Sequence, residues 1–561
     1  MIIDILNKKI SEILGNDDIH VIRSNRKELC DYQSDDCFKL AKEYRKSPME
    51  IGNGIVEKLN SIDDFDDYFE SVEFANPGFI NIKVSSKLIN KVLSDMNNSS
   101  KFGLKEPENV KTFVLDYGGP NVAKPLHVGH MRTAIVGESI KRIINYMGHK
   151  TISDVHLGDY GLQIGQVIYG IINDNKSIDD ITLEYLEATY PKISALCKEN
   201  EEVKEKCATI TKELQDGNEE YQKLWKVILE ISGNDIKRLY RYLDVSFDLW
   251  QGESDSYKYI PQTEEFLNNK NLLQSSEGAK IVDIKEENDT KEMPPFIFQK
   301  SNGAYLYGTT DLATIYERME KFNPDNILYI VDNRQSLHFE QLFRVANKSG
   351  LTPNTELEFL GYGTVNGMDG KPYKTRSGDA PKLDSLFNEV KEIFLSKREE
   401  NKNMTDEDLN KIVNAILKFA DLQNSRERDY IFDLNKFSNV VGKTGPYILY
   451  TYLRVQKIIG DQNIDNTLSD NIYNDADRNL RLALTEFSLA LNSAYNERKP
   501  NYIVDYIYNL AVLVNNFYQN NYVLNEENTL KKNDWLYVLN ITNKLLKEML
   551  ELIMIEIPTF M

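Results

Sequence analysis

Residues 111–132 read KTFVLDYGGPNVAKPLHVGHMR, and this stretch decides the fold of the chain. TFVLDY is typical of a buried strand, GGPNVAKPL is a glycine- and proline-containing loop, and His127 opens a run with helical periodicity. Apolar residues recur on one face of that helix up to Met147, Gly148 stops it, and TISDV follows as a second strand. The pattern predicts a right-handed βαβ unit that binds a ligand at this loop, beyond the carboxyl end of its first strand.

Strand and helix alternation resumes in the second half of the chain. AYLYGTTDLATIYERMEKF at 304–322 reads as a helix entered from a strand, NILYIVD at 326–332 as a strand, and LEFLGYGTV at 357–365 as another, with a helix from Ser336 between them. The predicted fold class is therefore α/β, a Rossmann-like doubly wound parallel sheet over residues 106–383. Helical and hairpin insertions interrupt it at about 175–300.

Regions of different character flank this domain. Residues 1–105 mix short helical and strand-like runs, and Pro77 and Gly78 turn the chain into a strand, so a small α+β domain is predicted. Residues 384–440 read as a connecting helical segment and 441–561 as a C-terminal all-α helical bundle. From about Asp384 onward the sequence carries no strand signal.

The composition is that of a folded protein of several domains. The chain has 561 residues, 41% hydrophobic and 27% charged. Its net charge of −20 argues against non-specific coating of nucleic acid, so DNA is not an expected partner, although an acidic protein can still carry one basic face. No apolar run is long enough to span a bilayer, and MIIDILNKKISEIL reads as an amphipathic helix rather than an export signal. We expect a monomeric, cytoplasmic protein without a membrane partner.

Four of the six histidines fall within thirty residues around the glycine-rich loop, namely His127, His130, His149 and His156. A metal site is disfavoured, because His-x-x-His lacks the spacing and glutamate of HExxH and the four cysteines form no CxxC pair. An ordinary loop and helix start is the plain alternative. The helix start, however, aims free N–H groups at the point the histidines face, which favours an anion. Gly129 has no Cβ and would let a flat base approach closely.

The stretch LDYGGPNVAKPLHVGHMR resembles the HIGH element of class I aminoacyl-tRNA synthetases, in the PNxAKPxHVGH form of the arginyl enzymes. This resemblance implies that His127, Gly129 and His130 bind ATP. It also implies that both histidines stabilise the transition state in which the carboxylate of arginine attacks the α-phosphorus, through donors oriented before the reaction. His338 is expected to line the nucleotide site, although a core or surface histidine is an equal alternative.

GKPYKTRSGDAPKLDSLF at 370–387 resembles the KMSKS loop of the same family, which closes over the triphosphate. The residues implied to bind ATP are Lys374, Thr375, Arg376 and Ser377, with Lys374 and Arg376 also catalytic. The loop departs from the pattern, since Pro372 replaces its first lysine. The resemblance implies that Lys124, just before HVGH, compensates by contacting phosphate. A solvated basic loop is the plain alternative.

Recognition of arginine requires carboxylates and neutral acceptors matched to a planar cation with five donors. Tyr307 and Asp311 lie one helical turn apart, and Gln335 follows the next strand. The resemblance implies that these three residues hold the guanidinium, and that Asp116 and Asn121 hold the α-amino end. A helix-entry role is the plain alternative for Asp311.

Further matches extend the resemblance over nearly the whole chain, including PGFIN, LGDYGLQIG, FDLWQGES, FADLQNSRERDYIFD and TGPYILYTYLR. They imply that tRNA(Arg) contacts both ends of the chain, with Asn81 at its outer corner and the C-terminal bundle at its anticodon. L-arginine and ATP are the other implied substrates, Mg²⁺ arrives with ATP, no protein-held metal is expected, and tRNA is needed before arginine is activated.

Rival hypotheses are another HIGH-type synthetase, a small HxGH nucleotidylyltransferase and a catalytically silent tRNA-binding relative. The tyrosines bear on tRNA binding, since 11 of 32 lie between residues 440 and 561, although most would serve packing. Asn501 stands where many arginyl enzymes have histidine, so individual anticodon contacts are not assigned.

Overall fold

The computed structural model describes residues 2–373, 382–397 and 404–561. Its N-terminal part is an antiparallel sheet of order β1-β2-β4-β3 covered by helices, in agreement with the α+β prediction. The predicted turn at Pro77 and Gly78 joins β3 to β4. The elements here are α1 Ile2–Leu14, β1 Ile22–Arg23, β2 Tyr32–Ser34, α2 Cys37–Tyr44, α3 Pro48–Asn60, α4 Phe65–Tyr68, β3 Phe69–Ala75, β4 Phe79–Val84 and α5 Ser86–Asn97.

A parallel sheet with its insertions follows. In chain order its elements are β5 Thr112–Tyr117, α6 Val128–Tyr146, β6 Lys150–Asp154, α7 Leu162–Asn173, α8 Leu183–Glu199, α9 Glu201–Gln215, α10 Glu219–Tyr242, α11 Glu253–Ser256, α12 Ile260–Asn269, β7 Leu273–Ser276, β8 Ala279–Val282, β9 Phe296–Gln299, α13 Tyr307–Phe322, β10 Asn326–Ile330, α14 Ser336–Ser349, β11 Glu356–Phe359 and β12 Val365–Asn366. Helices α8 to α10 and the antiparallel sheet β7-β8-β9 form the insertions between β6 and α13.

The central sheet has the order β11-β10-β5-β6, with all three strand pairs parallel. The chain passes from β5 to β6 on one side and returns to place β10 on the other side of β5. The winding direction therefore reverses between β5 and β10, and a crevice opens beyond their carboxyl ends. Ligands of doubly wound sheets bind in such a crevice, and the HVGH segment leads out of β5 at this point.

Within its described residues the C-terminal part is helical, as predicted, with one exception. Its elements are α15 Leu383–Ser396, α16 Asp406–Leu422, β13 Tyr430–Ile431, α17 Leu434–Phe437, α18 Gly445–Ile459, α19 Asp475–Leu484, α20 Phe487–Glu497, α21 Asn501–Asn520 and α22 Thr529–Leu552. The exception is β13, which pairs in parallel with β12. The expectation of no strand after Asp384 is wrong here, because a two-residue strand defined by its tertiary partner has no alternating pattern to detect.

Arg132 joins the parallel sheet to this helical part. It lies in the second turn of α6, is buried, and donates to the carbonyl oxygens of Gly363 at 2.6 Å and Arg428 at 3.0 Å. Its Nε also lies 3.7 Å from Asp421 in α16. Gly363 is two residues before β12, so Arg132 holds the segment that leads to residue 373 directly against the HVGH helix.

None of the helices in the described ranges is both long enough and apolar enough to cross a membrane.

Candidate active site

The HVGH segment forms the start of α6. The Nδ1 of His127 accepts a hydrogen bond from the N–H of Gly129 at 3.1 Å, and the N–H of His127 donates to the Nδ1 of His130 at 3.1 Å. The two rings lie 4.0 Å apart. Because both Nδ1 atoms accept, a neutral ring carries its proton on Nε2 in each case. Two imidazole donors thus stand at the positive end of a helix dipole.

Both histidines are neutral in the free protein. Burial, then the charges of Lys124 and Arg334, lower the pKa of His127. Burial, His127 and Lys124 lower the pKa of His130 to about 3. Arg334 lies between β10 and α14, so the segment after β10 also contributes to the electrostatics of the HVGH segment. The pair can donate to phosphate oxygens at neutral pH without being protonated.

The glycines of the loop serve close packing. Gly118 has a φ of +73°, and a Cβ on Gly119 would lie 2.4 Å from the carbonyl oxygen of His156. Because Gly119 has no Cβ, the loop can lie directly against His156, just after β6. Asn121 forms a bridge with Gly158 there, and its Oδ1 accepts from Gln163 at 3.2 Å. Asn121 is therefore held against the segment that follows β6, and its contact with the α-amino group stays a prediction.

The loop with Lys374, Thr375, Arg376 and Ser377 lies outside the described residues. Its two flanks are held near the site. The N–H of Tyr373 donates to Val365 in β12 at 2.9 Å, and the N–H of Leu383 donates to Leu126 at 3.0 Å. Lys382 pairs through its backbone with His127 and through its ammonium with Glu187 of α8. The residues that flank the loop are thus bonded to β12 on one side and to the residue before the HVGH segment on the other, and the contact of the loop with ATP stays a prediction.

Lys124 is held over an aromatic ring. Its Nζ lies 4.5 Å from the ring centroid of Tyr190 in α8. A cation–π contact restrains the ammonium without neutralising it, so the charge remains available to phosphate. Its charge reaches both histidines, since it contributes to lowering the pKa of each.

The predicted guanidinium pocket lies at the start of α13. Tyr307 is its first residue and is 59% exposed, and Asp311 follows one turn later. The Nε2 of His338 lies 2.6 Å from the Oδ2 of Asp311. Gln335 precedes α14 and is exposed. His338 is thus a partner of the predicted arginine pocket, while its contact with the nucleotide stays a prediction.

Glu253 is a residue of this pocket that the sequence did not single out. It opens α11, which packs against α13, and it is partly buried. Burial, followed by the negative charge of Asp311, raises its pKa to about 8. The motif FDLWQGES contains this glutamate, but only the tertiary packing reveals its neighbours. A carboxyl poised next to Asp311 is suited to a cationic ligand.

The predicted α-amino pocket has a buried partner. Asp116, near the end of β5, accepts from the Nη2 of Arg318 at 2.7 Å, and Asp154 of β6 accepts from the same nitrogen at 2.9 Å. The Nδ1 of His156 lies 3.3 Å from Asp154. The three acidic and histidine ligand atoms lie within 4.8 Å of one another. Since Arg318 already places a cation there, this cluster is poorly suited to a metal ion.

Charges in this cluster are balanced by pairing. Although burial opposes it, the hydrogen bond to Asp154 and the charge of Asp116 raise the pKa of His156 to about 9. The pKa of Asp154 is held low, against its own burial, by His156 and Arg318. Burial raises the pKa of Asp116, with Arg318 opposing it. Two basic side chains therefore face two acidic ones, and the side chain of Asp116 is 15% exposed.

Asn81 lies apart from this cluster of residues. It is in β4, between Gln33 of β2 and Glu73 of β3, and it is partly buried. A role in binding tRNA stays a prediction for this position.

The order of the parallel sheet and the HVGH helix at its switch point are those of a class I aminoacyl-tRNA synthetase. Residues 89–434 match the family model described as tRNA synthetases class I (R), catalytic domain. Residues 1–84 match the model of the arginyl tRNA synthetase N terminal domain, and residues 448–561 match that of the DALR anticodon binding domain. The chain belongs to the arginyl-tRNA synthetase family.

Individual relatives agree with this assignment. The chain is 42% identical to an arginine–tRNA ligase of Agathobacter rectalis, over 96% of this chain and 95% of that one. It is 41% identical to an arginine–tRNA ligase of Alkaliphilus oremlandii, over 95% and 94%. Among solved structures, the arginyl-tRNA synthetase of Plasmodium falciparum superposes with a TM-score of 0.82 at 25% identity, over 100% of this chain and 99% of that one. That of Thermus thermophilus has a similar fold, with a TM-score of 0.79, 20% identity and full coverage of both chains.

Proposed function

We propose that this chain attaches L-arginine to tRNA(Arg) at the expense of ATP, in two steps. In the first, a carboxylate oxygen of arginine attacks the α-phosphorus, the bond to the β-phosphate breaks, and pyrophosphate leaves. In the second, a hydroxyl of the terminal ribose of tRNA attacks the carbonyl carbon of arginyl-adenylate, and AMP leaves. Two observations carry the proposal: the carboxyls of Asp311 and Glu253 on the packed helices α13 and α11, and the two neutral imidazole donors at the start of α6.

The ATP site consists of the start of α6 and its surroundings. The Nε2–H groups of His127 and His130 donate to phosphate oxygens, and Gly129 leaves room for the nucleotide. Lys124 contacts phosphate, and His338 lines the nucleotide side of the pocket. Lys374, Thr375, Arg376 and Ser377 complete the site when their loop covers the triphosphate, a role supported by the backbone bonds that hold both flanks of that loop. Mg²⁺ arrives on ATP and neutralises the leaving pyrophosphate.

The arginine site spans the crevice. Asp311 and Tyr307 hold the guanidinium together with Gln335, and Glu253 adds a second carboxylate on that side. Asp116 and Asn121 hold the α-amino group. The ammonium of lysine cannot make the paired planar hydrogen bonds that a carboxylate makes with guanidinium, so lysine is rejected.

The remaining parts of the proposal concern tRNA and assembly. Residues 1–105 contact the outer corner of tRNA, with Asn81 among the contacts, and residues 441–561 read the anticodon. Residues 106–383 perform the chemistry and 384–440 connect the two. Bound tRNA is required before arginine is activated. The chain acts in the cytoplasm and is a monomer. Light scattering of the purified protein measures its molar mass and so tests the monomeric state directly.

Pyrophosphate exchange into ATP tests the proposal. Exchange should depend on arginine among the amino acids, and it should appear only when tRNA(Arg) is present. Exchange with arginine in the absence of tRNA would contradict the tRNA requirement alone. Exchange driven by another amino acid would contradict the substrate assignment.

A further inference from the structure

Helix α13 connects the two ends of the arginine site. Tyr307 and Asp311 stand at its start, and Arg318 lies seven residues after Asp311. At about 1.5 Å per residue, this spacing corresponds to about 10 Å along the helix axis, or two turns. One rigid element thus carries a guanidinium contact at one end and a basic residue at the other.

Arg318 contacts the opposite end of the site. Its side chain is 1% exposed, and its Nη2 donates to Asp116 at 2.7 Å and to Asp154 at 2.9 Å. Among the described residues, its Nε and Nη1 have no hydrogen-bond partner, and its guanidinium lies 5.6 Å from the ring centroid of Tyr329. A fully buried arginine that donates hydrogen bonds to two carboxylates holds both carboxylates in place.

The sheet register explains why a cation is needed here. Asp116 and Asp154 are direct partners on the neighbouring parallel strands β5 and β6. Two adjacent carboxylates repel each other and would turn apart unless a cation lay between them. Arg318 bonds both carboxylates from α13, whereas the ring of His156 contacts Asp154, so the direction of the Asp116 carboxylate depends on the position of α13.

We propose that Arg318 is a positioning residue that sets the length of the amino acid the enzyme accepts. It ties Asp116, the α-amino contact, to the helix that carries Asp311, the guanidinium contact. This inference rests on the proposed function, because it uses the roles given there to Asp116 and Asp311. Arg318 itself does not touch the substrate.

Because Arg318 and Asp311 both lie on α13, the bond from Arg318 to Asp116 fixes the distance between Asp116 and Asp311. A homologue of arginine with one methylene more or fewer misplaces its guanidinium by about 1 Å when its α-amino group is held at Asp116. A flexible pocket would absorb that displacement, whereas two contacts joined through α13 do not. Discrimination by chain length therefore follows from the Arg318 bond.

The test measures pyrophosphate exchange, in the presence of tRNA(Arg), with arginine, homoarginine and 2-amino-4-guanidinobutanoate. The native enzyme should prefer arginine over both homologues by about tenfold or more in kcat/KM. Arg318→Lys and Arg318→Gln should lower kcat/KM for arginine mainly through KM, and should narrow the preference for arginine to a few-fold. Native enzyme that accepts all three substrates equally would overturn the proposal without any variant.

Two further variants separate positioning from general damage. Asp154→Asn removes the other carboxylate that Arg318 bonds, and substitutions within one buried network affect its other members. Because the bond between Arg318 and Asp116 can still form, the length preference should change less than in Arg318→Lys. Arg481→Lys changes another fully buried arginine, paired with Asp477 at 2.7 Å in α19, and should leave preference unchanged. If Asp154→Asn narrows the preference as much as Arg318→Lys, or if Arg318 variants lose all three substrates in proportion, the inference is wrong.

Failure of the proposed function has a different signature. Asp116→Asn should raise KM for arginine if Asp116 holds the α-amino group. If that variant binds arginine as the native enzyme does, the role of Asp116 fails and the length measurement loses its basis. If Asp116→Asn weakens binding but Arg318 variants keep native length preference, only the positioning role of Arg318 fails.

Discussion

The Nε2 of His338 lies 2.6 Å from the Oδ2 of Asp311. The contact joins α14, which follows β10, to α13, which precedes it, so it spans the mouth of the crevice. Because one oxygen of Asp311 is held by the ring, the carboxylate has a fixed direction before any ligand arrives. A carboxylate oriented in advance loses little entropy when it binds a planar cation.

Asp311→Asn should raise KM for arginine by about 100-fold or more, with a smaller effect on kcat. The amide keeps the shape but removes the charge that pairs with guanidinium, and loss of one partner of a charge pair is costly. Steady-state exchange at varied arginine concentration measures this. Asp289→Asn is the matched control, because Asp289 also pairs with a basic side chain, Arg344, at 2.7 Å but does not line the crevice. Equal effects of the two substitutions would contradict the pocket.

Arginine binding should release a proton from Glu253 at neutral pH. Burial and Asp311 raise its pKa to about 8, so the free protein holds this carboxyl mostly protonated at pH 7. A bound guanidinium favours the carboxylate and lowers that pKa. Affinity for arginine should therefore increase as the pH rises from 6.5 to 8 and level off above, because the proton no longer has to be displaced.

Titration calorimetry in buffers of different ionisation enthalpy counts this proton. We expect up to about one proton released per arginine at pH 7, and fewer as the pH rises through 8 and Glu253 is already ionised before arginine binds. Glu253→Gln should abolish the part of the pH dependence that comes from this group. Proton release that persists unchanged in Glu253→Gln would contradict this role of Glu253 and assign the proton to another group.

His127→Ala and His130→Ala should each lower kcat about 100- to 1000-fold, as expected for the loss of one donor to developing charge. KM for arginine should change little, because neither ring is among the groups proposed to hold arginine, which include Asp311 and Asp116. His149→Ala is the control, since His149 instead stacks on Tyr495 at 5.3 Å. Because the pKa of each histidine is lowered in the free protein, the kcat/KM profile should show no titration near pH 6.5 that depends on these rings. A kcat/KM profile that follows an apparent pKa near 6.5 and loses it in His127→Ala would contradict their neutral state in the free protein.

Lys124→Met should raise KM for ATP and lower kcat, together by about tenfold or more in kcat/KM, because a phosphate contact is lost. Lys237→Met is the comparison, since the Nζ of Lys237 likewise lies over an aromatic ring, that of Trp250, at 4.9 Å. Each substitution removes a cation–π contact of the same kind, so a difference between them reports the contact of Lys124 with phosphate. Steady-state exchange at varied ATP concentration measures both, and indistinguishable KM values would contradict the assignment of Lys124.

The parts of the site that are local in sequence were predictable. His127 and His130 are placed by helix-start geometry, and Tyr307 and Asp311 share one turn of α13, so spacing alone brought each pair together. The βαβ pattern predicted the parallel sheet for the same reason. The resemblance to the synthetase family then supplied the substrates, which spacing could not.

The parts that depend on packing were not predictable. Glu253 is one acidic residue among many in the sequence, and its raised pKa comes from burial against α13. The bond of Arg318 to Asp116 joins residues 202 positions apart. The two-residue strand β13 exists only because β12 pairs with it. Each of these features is decided by a tertiary neighbour, which a periodic pattern along one segment does not encode.

The central claim is that this acidic crevice selects arginine for attachment to tRNA(Arg), and the product itself tests it most directly. The purified chain is incubated with ATP, Mg²⁺, all twenty amino acids and total tRNA, and the aminoacyl esters at the 3′ ends are identified by mass. The account predicts arginyl esters on tRNA(Arg) and no other aminoacyl ester. An ester of a different amino acid, or no ester while control synthetases charge the same tRNA, would contradict it.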